Sequence, residues 1–187
     1  LPLGTVTVQE TKAPTGYFAN DTVFVQKITA DGSKETVKCY NASSVDEQIY
    51  RGGVKIQKRD QETKKAEPQG SATLEGAEFT ITTLNEHPVI VADKTYTKDQ
   101  VVMNLVTDEN GLASTAKDAL PFGHYRVDET KSPKGYLNVG TISIEFDITK
   151  NAEIVELTAE DSSILNQVMR GDLELVKVSD GEQTRLS

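Results

Sequence analysis

Hydrophobic and polar positions alternate along this chain with a period of two, and no stretch repeats with the period of a helix. In Gly53-Val54-Lys55-Ile56-Gln57-Lys58-Arg59-Asp60, the residues Val54, Ile56 and Lys58 share one face of an extended strand. Lys55, Gln57 and Arg59 share the other, which reads as the wet face. The same alternation predicts strands over 74–84, with Ala77, Phe79 and Ile81 inward, and over 101–107. It predicts another over 123–130, and one over 141–148 with Ile142, Ile144, Phe146 and Ile148 inward. Shorter strands are expected at 89–91, 112–115, 152–157 and 162–169. Gln61 to Gly70 is polar and carries Pro68, so it reads as a loop. Asp108-Glu109-Asn110-Gly111 carries the Asn-Gly pair of tight hairpins, and Lys131 to Gly135 is a Pro-Gly loop. Many short strands and frequent turns predict an all-β fold, an antiparallel β-sandwich.

Three of the inward faces contain a polar group. The first strand's apolar face ends in Lys58. Tyr125, Val127 and Glu129 share a face, and so do Ile164, Asn166 and Val168. A lysine on a core face is costly unless it is partnered or neutral. Two readings of Lys58 stand on the residues alone. Its stem is buried and its head wet, or its amine points inward and meets the carboxyl and the carboxamide. On the first reading Glu129 is an edge carboxylate paired with a surface lysine, and Asn166 a strand-end amide.

The chain also repeats itself at an offset of 119 residues. Leu1-Pro2-Leu3-Gly4 returns as Leu120-Pro121-Phe122-Gly123, and Glu10-Thr11-Lys12-Ala13-Pro14-Thr15-Gly16-Tyr17 as Glu129-Thr130-Lys131-Ser132-Pro133-Lys134-Gly135-Tyr136. Arg51-Gly52 returns as Arg170-Gly171, and Lys58 as Lys177. A constant offset implies that the intervening loops keep their length. Residues 1–50 then form the C-terminal part of one unit, residues 51–170 a complete unit, and residues 171–187 the first strand of a third. The short connection at 170–171 strings neighbouring units end to end. Leu1-Pro2-Leu3-Gly4-Thr5 loosely resembles a sortase signal, but its last two residues are in the wrong order and it recurs inside the next unit. It reads as a turn.

Composition narrows the function classes. A net charge of −9 argues against nucleic-acid binding, which needs a basic patch. One cysteine, Cys39, allows no intrachain disulfide. No apolar run approaches membrane-spanning length and no signal peptide is visible, so no membrane insertion is expected of this stretch, which is expected to start and stop within domains. His87 and His124 lack metal-ligand spacing and read as surface residues. No nucleophile–base motif, P-loop or dinucleotide fingerprint occurs, and no cofactor is implied.

The pattern Gly-x-Val-x-Ile-x-Lys-x-Asp at 52–60, Leu-Glu-Gly-Ala-x-Phe at 74–79, Thr-Asp-x-x-Gly at 107–111 and Glu-Thr-Lys-x-Pro-x-Gly-Tyr at 129–136 resembles the CnaB-like, SpaA-type pilin repeats of Gram-positive surface proteins. The resemblance implies an immunoglobulin-like sandwich in tandem repeats, at the cell wall or cell surface. Its partners would be neighbouring repeats of the same chain. It further implies an autocatalytic isopeptide bond between Lys58 and Asn166, assisted by Glu129. These are the three residues on which the period-two reading had converged. The alternatives are a ligand-binding module that grips a host extracellular-matrix protein or glycan, and an accessory sandwich of a secreted enzyme. The absence of tryptophan weakens the first.

In the partial units, Glu10 matches Glu129 and Lys177 matches Lys58, but Glu47 stands where Asn166 does, with Asp46 beside it. Cys39 matches Thr158 and reads as a packed strand residue. Lys27 aligns with Phe146 at the constant offset, so either that strand is bulged or Lys27 points inward.

Overall fold

The computed structural model describes residues 3–28, 47–138, 142–158 and 164–177, and among them every regular element is a strand. In chain order these are β1 (Gly4–Gln9), β2 (Val23–Ile28), β3 (Arg51–Asp60), β4 (Glu78–Thr83), β5 (Val89–Val91), β6 (Lys94–Tyr96) and β7 (Val101–Val106). There follow β8 (Leu112–Ser114), β9 (Leu120–Pro121), β10 (Gly123–Lys131), β11 (Ser143–Ile148), β12 (Ile154–Leu157) and β13 (Ile164–Asn166).

Two large sheets and the small β5-β6 pair make up the stretch from β3 onward. One has the order β11-β10-β4-β7, antiparallel throughout. The other is built on β3, which pairs with β8 and β9 antiparallel and with β12 and β13 parallel. The parallel pairs come from the path of the chain. β12 reaches β3 after a long excursion through the opposite sheet, so no tight turn forces it antiparallel, and β13 pairs further along β3 in the same direction. The inward faces of both sheets meet in one core that includes Val54, Ile56, Phe79, Ile81, Tyr125, Val127, Phe146, Ile148 and Ile164. Each such side chain, fully withdrawn from water, contributes about 1.5–3 kcal/mol of transfer free energy.

The strand faces expected from alternation are largely observed, with informative departures. Gln57, placed on the wet face, is 9% exposed. Its Nε2 donates to the carbonyls of Lys58 and Asn110, because the 108–111 turn folds over that side of β3. The turn itself does not close a hairpin. β7 pairs with β4 whereas β8 pairs with β3, so the Asn-Gly turn carries the chain from one sheet to the other. The β5–β6 hairpin went unread because its turn residues, Ala92 and Asp93, take positive φ (47° and 61°) without a glycine to announce it. Gly53 is needed for a close approach. A Cβ there would lie 2.4 Å from the Ala116 carbonyl oxygen.

β1 and β2 pair antiparallel, as do β10 and β11, but not at the constant offset. Thr5 pairs with Lys27 as His124 pairs with Asp147, so β2 corresponds to β11 at an offset of 120. The connection before β2 is therefore one residue shorter than its counterpart, against the expectation of unchanged loops. By Tyr17↔Ile49 and Tyr136↔Val168 the offset has returned to 119. The single-residue slip turns Lys27 to the other side of the strand, where it is exposed. It replaces both the bulge and the inward lysine. Cys39 and Asp46 lie outside the described residues.

Candidate functional site

β3 and β13 run side by side in parallel, with Lys58 opposite Ile164 and Asp60 opposite Asn166. Residues two apart on a strand share a face, and paired residues share it too. Lys58, Asp60, Ile164 and Asn166 therefore all project into the interior. β10 crosses opposite them in the facing sheet and supplies Glu129. At that point β10 breaks register against β4, between Glu129 and Lys131, an irregularity of the kind that re-aims a side chain at the end of a strand.

The three polar side chains converge in a dry interior. Lys58 is 0% exposed, Glu129 2% and Asn166 1%. Lys58 Nζ lies 3.7 Å from Glu129 Oε1 and donates to the Ile164 carbonyl at 2.5 Å. Asn166 Nδ2 donates to Glu129 Oε2 at 3.0 Å, with Ser132 Oγ at 3.2 Å and the Leu137 carbonyl at 3.4 Å. Glu129 Oε1 and Asn166 Oδ1 are buried acceptors with no donor.

Burial pushes both ionisable groups toward their neutral forms. Desolvation lowers the Lys58 pKa to about 8, although the Glu129 charge opposes it. Desolvation raises the Glu129 pKa, opposed by Lys58 and by the hydrogen bond from Asn166. A neutral amine carries a lone pair that an ammonium lacks, and a neutral carboxyl is a donor that a carboxylate is not. The arrangement thus presents a nucleophile, an amide carbonyl and a proton carrier within one buried cluster.

Two neighbours support it that alternation had not singled out. Asp60 is fully buried, and its carboxylate accepts from the Glu62 and Thr63 amides, from Gln69 Nε2 and from Tyr136 Oη. Burial alone would raise its pKa, but these hydrogen bonds outweigh burial and lower it. Tyr136 comes from the Pro-Gly-Tyr loop. Gly135 there takes φ 88°, and a Cβ on it would lie 2.6 Å from that of Ala72. The loop is sewn to the segment that follows β13 by Leu137 N to Gln167 O and Met169 N to Gly135 O, each 2.8 Å. Asp60 was legible in principle, since it continues the face of Val54, Ile56 and Lys58. Ser132 gave no sequence signal beyond its place in the loop.

The other candidates are not brought into a comparable cluster. Glu10 accepts from the Asn20 amide at 2.8 Å, and burial together with the adjacent Glu10 carboxyl raises the Glu47 pKa. Lys177 is exposed outside any strand. His87 is exposed, and His124 sits at the surface between Asp147 and Glu145. No group of three metal-ligating side chains occurs among the described residues.

The SpaA prealbumin-like fold domain model matches residues 52–163, the stretch that holds Lys58 and Glu129. No curated protein matches the chain. Among solved structures, the Bacillus anthracis TIE protein is 26% identical over 90% of this chain and 26% of its own, with a TM-score of 0.57. A Streptococcal ancillary pilin is 22% identical over 100% of this chain and 52% of its own (TM-score 0.43). The Bacillus cereus major pilin subunit BcpA is 23% identical over 84% and 41% (TM-score 0.43). The chain thus spans from about a quarter to about half of the length of these structures. With more than half of its residues matched by the family model, the chain belongs to the SpaA family of prealbumin-like fold domains.

Proposed function

We propose that this chain is a stalk segment of a Gram-positive surface pilin or adhesin, and that its 51–170 unit is locked by an isopeptide bond between Lys58 and Asn166. The observation that carries this reading is the burial of an amine, a carboxyl and a carboxamide in one cluster, each almost wholly withdrawn from water. Lys58 Nζ, in its neutral form, adds to Asn166 Cγ. Neutral Glu129 delivers its proton to Nδ2 and recovers one from the amine nitrogen, so one proton passes in net from Nζ to Nδ2, and ammonia leaves. Neutral Glu129 also gives the pair of orphaned acceptors a donor. The fold supplies the proximity that an unactivated amide requires. The reaction occurs once per chain, on the chain itself, so the protein is a structural element and not an enzyme.

The purpose is mechanical. The bond would join the first and last strands of the unit, and a pull on its two ends would pass through the covalent link and leave most of the sheet unloaded. Residues 1–50 and 171–187 are then parts of adjoining units, and the partners are neighbouring repeats of the same protein at the cell surface. Intact mass of the denatured chain tests the reading. The wild type should be lighter than its sequence by one ammonia, and Glu129→Ala should regain that mass. A wild type at full mass would refute the bond.

A further inference from the structure

The acceptors around Asn166 Nδ2 outnumber its hydrogens. A carboxamide nitrogen carries two hydrogens in a plane, yet three acceptors surround it: Glu129 Oε2 at 3.0 Å, Ser132 Oγ at 3.2 Å and the Leu137 carbonyl at 3.4 Å. Ser132 Oγ itself donates to the Leu137 carbonyl at 3.1 Å, which leaves an oxygen lone pair for Nδ2. The resting amide cannot satisfy all three. The nitrogen that leaves during crosslinking can. As Lys58 Nζ bonds to Cγ, Nδ2 becomes tetrahedral and gains a proton through Glu129, so it carries three hydrogens before the Cγ–Nδ2 bond breaks and ammonia departs.

We propose that Ser132, with the Leu137 carbonyl and Glu129, forms a cradle for the departing ammonia, and that Ser132 is a catalytic residue of the crosslinking step. The assignment rests on the Lys58–Asn166 reading. The cradle binds the protonated leaving nitrogen better than the amide, which is the condition for a contact to accelerate a reaction and not merely bind its ground state. It also lies on the outward side of the cluster. Ser132 is half-buried and Leu137 exposed, whereas Lys58 and Glu129 are sealed, so ammonia leaves past Ser132 into solvent. The internal repeat provides an independent comparison. At the constant offset Ala13 replaces Ser132 where Glu47 replaces Asn166. A carboxyl has no nitrogen to expel, and the hydroxyl is missing beside it.

The test compares isosteres. Ser132→Thr keeps the hydroxyl and Ser132→Val removes it at the same shape. Each variant is made by a short pulse of cell-free synthesis, and mass loss is followed with time. Removing one hydrogen bond to the leaving group should slow crosslinking about tenfold in Ser132→Val, with Ser132→Thr within about twofold of wild type. Equal rates for Thr and Val would overturn the cradle while leaving the crosslink intact. A wild type that never loses ammonia would instead overturn the crosslink reading and the cradle with it.

Discussion

The double variant Lys58→Met, Glu129→Gln separates a covalent tie from a buried ion pair by the sign of its effect. Met keeps the length and apolar stem of Lys58, and Gln keeps the shape of Glu129, so neither leaves a cavity or an isolated buried charge. If Lys58 and Glu129 were only a buried pair, replacing both would be neutral or would stabilise the unit by about 1–4 kcal/mol, because the desolvation cost of the pair disappears. If the crosslink exists, the variant loses it. Lys58 and Asn166 lie 108 positions apart. For a loop near that size the chain-entropy model puts the loss at roughly 4.7 kcal/mol. With an unfolding entropy of roughly 0.25 kcal/mol/K for a unit of about 120 residues, Tm should fall by roughly 15–20 °C. The urea m-value should rise as well, since the unfolded chain is no longer held in a closed loop. Thermal scans and urea titrations of wild type and variant measure both quantities. A variant that melts at or above the wild-type temperature with an unchanged m-value would refute the reasoning.

Crosslinking requires neutral Lys58 together with protonated Glu129, so its rate should pass through a maximum with pH. It falls toward acid as Lys58 binds a proton and toward alkali as Glu129 loses its own, and a rate that climbs steadily with pH would count against the mechanism. Asp60 has a lowered folded pKa, so its stabilisation is complete above its ordinary value of 3.8 and is lost as pH falls through the folded value. Asp60→Asn should cost about 1–3 kcal/mol at neutral pH and flatten the acid limb of a plot of Tm against pH. Gly53→Ala would place a methyl 2.4 Å from the Ala116 carbonyl and 2.7 Å from Thr115 Oγ1. Denaturant midpoints should show a loss of about 1–3 kcal/mol, and an unchanged midpoint would mean that the β3 crossing is looser than its geometry indicates.

Alternation alone was enough to put Lys58, Glu129 and Asn166 on faces shared with apolar residues, because a strand's side-chain period is fixed by backbone geometry and does not depend on what packs against it, but it left open whether the Lys58 amine is wet or buried. The same local rule also made the sandwich class legible, through the short apolar runs and the Asn-Gly and Pro-Gly punctuation. It failed where a second element changes the environment. Gln57 alternates outward yet is buried beneath the 108–111 turn. The Asn-Gly turn looks like a hairpin but crosses between sheets, since nothing in four residues says which strand the next one will join. Lys27 was misaligned because a one-residue deletion is invisible to an offset that recovers later in the chain.

The chain's own residues thus determined which groups share the apolar faces, and the resemblance to a known repeat named the pair expected to react. Only the tertiary structure decided how they meet. β13 returns to β3 in parallel, which sets Asn166 beside Asp60 and one step from Lys58, and β10 brings Glu129 across from the other sheet. Two of the acceptors around the amide nitrogen, Ser132 Oγ and the Leu137 carbonyl, come from the loop after β10 and have no periodic signature at all. Strand faces are a property of consecutive residues, whereas burial, pKa direction and a third hydrogen-bond acceptor arise from residues tens of positions apart, and their juxtaposition exists only once the sheets have closed.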